Sequence, residues 1–207
     1  MAMLADIHSR SCRVWGSSDP EQLYVYMGSR AKKILDQLVL WEAAHNSSKK
    51  CLQSLTNLAD QLQATRTCDQ KGLWQKTQLG QFQDLIIRLN YKQVQAMEAL
   101  MNALKTDLMT CNDITNTIAR FKASAFSIYQ KYADEIQLQD AVMPTATCPA
   151  LVDLLDWYLT KKRALHDINY EDIDTINTMQ ELWNENDCIH YLKDAREQIG
   201  VFLSKAF

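Results

Sequence analysis

Apolar side chains recur in alternating steps of four and three from Ile34 onward: Ile34, Leu38 and Trp41, then polar His45 and Ser48, then Leu52, Leu55, Ala59 and Leu62. This spacing is the seam of a helix packed lengthwise on another helix, and it predicts a helix over 30–65. The seam weakens at His45 and Ser48, where a tight coiled coil would place aliphatic residues. It hardens again through Leu52, Leu55, Leu58 and Leu62, so the stronger contact is expected in the second half. Ahead of it, Gly16, Pro20 and Gly28 interrupt any pattern, and residues 1–29 read as a poorly ordered arm.

After a polar link from Thr65 to Gly72, no Gly or Pro occurs between Gly80 and Pro144. Met97, Met101, Leu104, Leu108 and Cys111 keep the four-three spacing, and after a skip Ile114, Ile118, Phe121, Ala125, Ile128 and Tyr132 resume it. A helix over 81–137 follows, roughly 80 Å long at 1.5 Å per residue. The weak helix formers of 110–117, among them Thr110, Asn112, Asp113 and Thr115, are the expected place for a bend, or for a hairpin turn as the alternative.

Pro144 and Pro149 make the stretch between them a loop, and a new helix starts near Pro149. Leu151, Leu154, Leu155 and Tyr158 are expected on one face of that helix, with Trp157 beside them. Two further short amphipathic helices are expected over 171–183 and 187–205, with Asp187 as a cap. The fold class is therefore all-α, an elongated helical bundle. Residues 1–29 form an arm, 30–143 a long helical hairpin and 144–207 a C-terminal group of shorter helices packed on it. The long seam carries more apolar stripe than five helices would cover by themselves, which points to permanent association with a partner.

Composition narrows the function. Five Gly and three Pro leave too few turn formers for a β-sandwich or barrel, and little material for a phosphate cradle. A formal net charge of −3 offers no general field for phosphates or anionic lipids, so direct nucleic-acid binding is not expected. The six cysteines are scattered, with no C-x-x-C, and read as reduced thiols. No stretch approaches a membrane span and the first ten residues do not resemble a secretory signal, so a cytoplasmic and nuclear location is expected.

Glu42-x-x-His45 has the spacing of a di-iron half-site, loosely echoed by Asp187-x-x-His190, but one true copy cannot build a four-helix metal centre. No metal and no cofactor is expected, and the bland reading is a solvated Glu42 with His45 as a polar seam position. Lys161-Lys162-Arg163 reads as a solvated basic face, with contact to RNA as the lesser alternative. Met97, Met101, Trp41, Trp157 and Trp183 read first as core and second as partner anchors.

Two stretches carry a family resemblance. Leu40-Trp41 and Leu55-Thr56-Asn57-Leu58-Ala59-Asp60-Gln61-Leu62-Gln63-Ala64 resemble the LW and SL-x-NLAEQLQA signatures of the AIRIM family of ribosome-maturation factors. More specific is the order Phe126-Ser127-Ile128-Tyr129 with Ala133-Asp134, Asp140-Ala141-Val142 with Pro144, then Pro149 and Leu154-Leu155-Asp156-Trp157. It is similar to the family's F-x-IY-x-x-x-AD, DAV-x-x-P and P-x-x-x-x-LEW. The similarity covers roughly 36–183. Residues 1–30 have no evident counterpart, about ten family residues are missing after Trp157, and positions 42 and 45 resemble Gln and Leu in the family. The resemblance implies a non-catalytic adaptor, not an enzyme. Its implied partners are an AAA+ ATPase of the spermatogenesis-associated type, a second small helical protein similar to the cyclin-dependent-kinase-two-interacting protein, and indirectly the pre-60S particle. Leu55, Leu58, Leu62, Leu154, Leu155 and Trp157 are the expected protein-interface residues. An autonomous homodimeric coiled-coil scaffold without an ATPase is the alternative.

Overall fold

The computed structural model describes residues 20–82, 84–132, 150–168, 172–184 and 187–206, and every regular element among them is helical. Helix α1 spans Pro20–Gln70, α2 Leu85–Tyr132, α3 Ala150–His166, α4 Ile173–Asn184 and α5 Asp187–Ala206. Two short 3-10 turns, Trp74–Lys76 and Gln78–Gln81, join α1 to α2. The chain is all-α, a long helix pair followed by three shorter helices. Residues 1–19 of the expected arm, and the loop expected around Pro144 and Pro149, lie outside the described residues.

Helices α1 and α2 form an antiparallel hairpin, each roughly 70–75 Å long. The register is read from three cross-links along its length. The hydroxyls of Tyr26 and Ser124 share a hydrogen bond of 2.8 Å at one end. The Cys111 thiol lies 4.0 Å from the Trp41 carbonyl near the middle, and Gln93 Nε2 donates to Thr65 Oγ1 at 3.5 Å towards the turn. Between these points Ile34, Leu38, Leu52, Leu55 and Leu62 of α1 are buried, as are Met97, Met101, Leu104, Leu108 and Ile118 of α2. The cover that the seam of α1 requires thus comes from α2 of the same chain. Burial of each such side chain contributes about 1.5–3 kcal/mol.

Three sequence-based expectations change. Helix α1 begins at Pro20, not near residue 30, and buries Met27 and Ala31 two turns and one turn ahead of Ile34. Proline suits the first turn of a helix, where its missing N–H would be unpaired anyway, and Gly28 is carried inside the helix, itself buried together with Met27 and Ala31. Neither break nor turn occurs at 110–117, where α2 is continuous. There the hydroxyls of Thr110, Thr115 and Thr117 donate to the carbonyls four residues back, at 2.8–2.9 Å, while Cys111, Ile114, Thr115 and Ile118 pack inward. Tertiary burial overrides weak propensity. On α3 the inward face is Leu154, Trp157 and Leu165, whereas Leu155 is exposed.

The hairpin turn is closed by glycine chemistry. Gly72 has φ +62°, its N–H bonds the Asp69 carbonyl at 2.9 Å and the Leu73 N–H bonds the Cys68 carbonyl at 2.9 Å. This pair is a Schellman ending, which needs a left-handed residue one past the helix cap. A Cβ at Gly72 would also lie 2.7 Å from Gln75 Oε1. Gly72→Ala should therefore lower the unfolding free energy by about 1–2 kcal/mol without loss of helix content, as measured by urea denaturation followed by circular dichroism.

Candidate interaction surfaces and the tryptophan-histidine junction

Helices α4 and α5 pack on α1 where its seam turns polar, while α3 packs on α2 and reaches the same place through Trp157. His45 and Ser48 are fully buried, among Trp41 of α1, Trp157 of α3 and Trp183 of α4. The His45 ring stacks on Trp41, one turn earlier, with centroids 5.2 Å apart and planes at 21°. Trp157 meets both edge-on, at 4.9 Å from Trp41 and 5.1 Å from His45, and Trp183 meets Trp157 edge-on at 6.0 Å. Such edge-to-face pairs contribute about 0.5–1.5 kcal/mol beyond area burial. The indole N–H of Trp183 donates to Ser48 Oγ at 2.8 Å, and the Ser48 hydroxyl donates to the His45 carbonyl at 2.7 Å. Far from a weak half of the seam, this is where four helices meet.

Helix α5 locks on beside it. Arg196 pairs with Glu42 at 2.6 Å and donates to the Leu38 carbonyl at 3.1 Å. Glu42 is therefore held by α5 and is not simply solvated. Gln180 of α4 donates to Gln53 at 2.8 Å, extending the contact along α1.

Electrostatics keep His45 neutral. Burial, reinforced by the charges of Lys49 and Lys161, lowers its pKa from 6.5 to about 4. Neither ring nitrogen has a hydrogen-bond partner among the described residues. Lys161 lies inside as well, with Nζ 5.8 Å from the Trp183 ring centre. The basic run is therefore split, Lys161 facing inward while Lys162 and Arg163 stay exposed. Glu42 and His45 serve different neighbours, and no group of three metal-capable side chains occurs among the described residues. His190 sits 3.5 Å from Asp194 on the exposed side of α5.

The expected interface residues separate by burial. Leu55, Leu62 and Leu154 are fully covered, Trp157 is in the junction, and Leu58 is half-buried. Only Leu155 lies on the outer surface, and it belongs to a stripe with Val152 and Leu159. Those positions repeat at three and four along α3, opposite the Leu154-Trp157-Lys161 face. A second group of exposed apolar side chains, Leu73, Leu79, Phe82, Ile87 and Tyr91, surrounds the hairpin turn.

Comparison with known proteins bears on the whole of this architecture. The family model for ribosome biogenesis protein C1orf109-like matches residues 21–198. The chain belongs to this family. Relatives called AFG2-interacting ribosome maturation factor are 27% identical over 184 residues in Mus musculus, covering 82% of this chain and 83% of the relative. The Homo sapiens protein is 28% identical over 160 residues, covering 72% and 77%, and that of Xenopus tropicalis 32% over 121 residues, 57% of each. The family match starts at the first turn of α1, so residues 21–30 of the stretch 1–30, for which no counterpart was evident, fall inside it.

Sequence reasoning missed the junction because its parts are scattered: Ser48 and Trp183 are 135 residues apart. The available signal was the coincidence of a polar seam break with tryptophans on separate amphipathic helices. The depressed His45 pKa sets a test. Above pH 6.5 His45 is neutral folded or unfolded and contributes no pH dependence. As pH falls from 6.5 towards 4, the unfolded chain takes up the proton and the folded chain does not, so stability declines by up to about 3 kcal/mol. His45→Leu should flatten this decline, measured as urea stability at pH 7 against pH 4.5 in both proteins; an unchanged slope would contradict the buried neutral imidazole.

Proposed function

We propose that this chain is a non-catalytic adaptor of an AAA+ ATPase in maturation of the large ribosomal subunit. The observation that carries the reading is the family match over 21–198, together with relatives whose name states that they interact with AFG2 and mature ribosomes. Supporting it, two polar side chains beside the junction, Ser48 and Glu42, are engaged structurally. Ser48 is bonded to Trp183 and the His45 carbonyl, and Glu42 to Arg196. In this reading the ATPase supplies the energy, a second small helical protein similar to the cyclin-dependent-kinase-two-interacting protein shares the adaptor role, and the pre-60S particle is reached through the complex, in cytoplasm and nucleus.

The docking face in this proposal is the outer stripe of α3, with Val152, Leu155 and Leu159 exposed on a helix whose other face is anchored by Trp157. A rigid helix that presents apolar residues at i, i+3 and i+7 has the form of a helix-to-helix contact.

Affinity purification of the full chain with mass spectrometry tests this. The expected result is an AAA+ ATPase of the AFG2 type with a second small helical protein; recovery of the chain alone would instead support the self-associating scaffold. Leu155→Asp with Leu159→Asp should cut ATPase recovery at least about tenfold at unchanged helicity. Leu55→Asp with Leu62→Asp should lose helicity and recovery together, because those leucines lie inside.

A further inference from the structure

The other exposed apolar group differs from the α3 stripe in charge and construction. Ile87 is 70% exposed, Phe82 64% and Tyr91 63%, with Leu79 and Leu73 beside them in sequence. These five of the large exposed apolar side chains fall within the short stretch 73–91 at one end of the hairpin. Between residues 66 and 92 the cations Arg66, Lys71, Lys76, Arg88 and Lys92 face only two acids, Asp69 and Asp84, a local excess of three positive charges. The whole chain carries −3, so the turn is a basic and apolar tip on an otherwise acidic molecule.

The tip is built, not slack. Thr77 caps the first 3-10 turn through both its N–H and its hydroxyl, which bond the Trp74 carbonyl at 3.0 and 2.8 Å. The second turn lies so close to the first that a Cβ on Gly80 would come within 2.8 Å of the Gln75 Cα and of the Trp74 carbonyl oxygen. Phe82 N–H then bonds the Leu79 carbonyl, and Leu85 N–H the Phe82 carbonyl, both at 3.1 Å, which leads directly into α2. Leu79 and Phe82 are thus held on an ordered backbone, which reduces the entropy lost on binding.

We propose that this tip is a docking surface for an acidic partner segment that carries apolar anchors, an amphipathic helix with Asp or Glu around its Leu or Phe residues. Leu73, Leu79 and Ile87, three of the five exposed apolar side chains, have no ring on which a base could stack and want burial against apolar side chains, which favours a protein segment. The basic rim adds attraction and orientation for an acidic partner. Pairing of two copies tip to tip would set positive charge against positive charge. The tip proposal does not depend on the adaptor reading.

The full chain is titrated, by fluorescence anisotropy, against a labelled peptide of about sixteen residues with Leu and Phe at helical spacing and Glu elsewhere, and against the same peptide with Lys replacing Glu. The Glu peptide should bind and the Lys peptide should not. Phe82→Ser with Ile87→Ser should weaken the Glu peptide at least about tenfold. Lys76→Glu with Arg88→Glu should weaken it similarly and shift preference to the Lys peptide. Both variants should keep wild-type circular dichroism, and Val201→Ser on α5 should bind as wild type does. Equal binding of the two peptides, or no effect of the tip variants, would overturn the proposal. So would tighter binding of an oligouridylate probe, self-association that the tip variants abolish, or loss of helicity in those variants.

Discussion

A seam about 70 Å long between α1 and α2 holds this molecule together, and its polar interruption determines where everything else attaches. Aliphatic residues on both sides of the interruption are covered by the facing helix. At His45 and Ser48 the seam carries a buried imidazole and a buried hydroxyl where aliphatic side chains would otherwise interlock with the facing helix. Trp157 and Trp183 arrive from α3 and α4 instead, the second donating its N–H to Ser48. The polar break in the long seam thus becomes the docking point of the short helices, and α5 follows through Arg196 on Glu42.

This arrangement divides the apolar surface by purpose. Because α2 satisfies α1 within one chain, Leu55 and Leu62 are unavailable to another protein. Among the apolar side chains left outside, two groups stand out, the outer stripe of α3 and the tip of the hairpin, while Val25, Val39, Leu40, Met109, Phe126 and Val201 are exposed elsewhere. The first is a helix face clamped from behind by tryptophans, and the second is a hydrogen-bonded turn ringed by cations. Two faces of different chemistry are what the proposed adaptor role, with more than one partner, would require.

Much of this was legible in the sequence. The four-three spacing placed every buried apolar residue of α1 from Ile34 to Leu62, and most of those of α2, because periodicity reports which side of a helix is covered. It did not report what covers it, and so the seam looked like an invitation to a second chain. Local signals misled where tertiary contacts outweigh them: Gly28 and Pro20 did not delay α1, and the threonines of 110–117 did not break α2. The choice between Leu154 and Leu155 as the inward residue depends on how α3 is rotated against the junction, which spacing within one short helix leaves open. The junction and the Arg196-Glu42 pair join residues more than a hundred positions apart, and no local pattern encodes such a pairing.

The account turns on the seam being closed within one chain. Hydrogen-deuterium exchange of the isolated protein over a wide range of concentrations tests this directly. The amides of α1 from Trp41 to Leu62 should be protected equally at every concentration, because α2 covers them intramolecularly. Rapid exchange in that segment on dilution, with protection regained only as concentration rises, would mean that the seam is closed between chains, and would contradict the account.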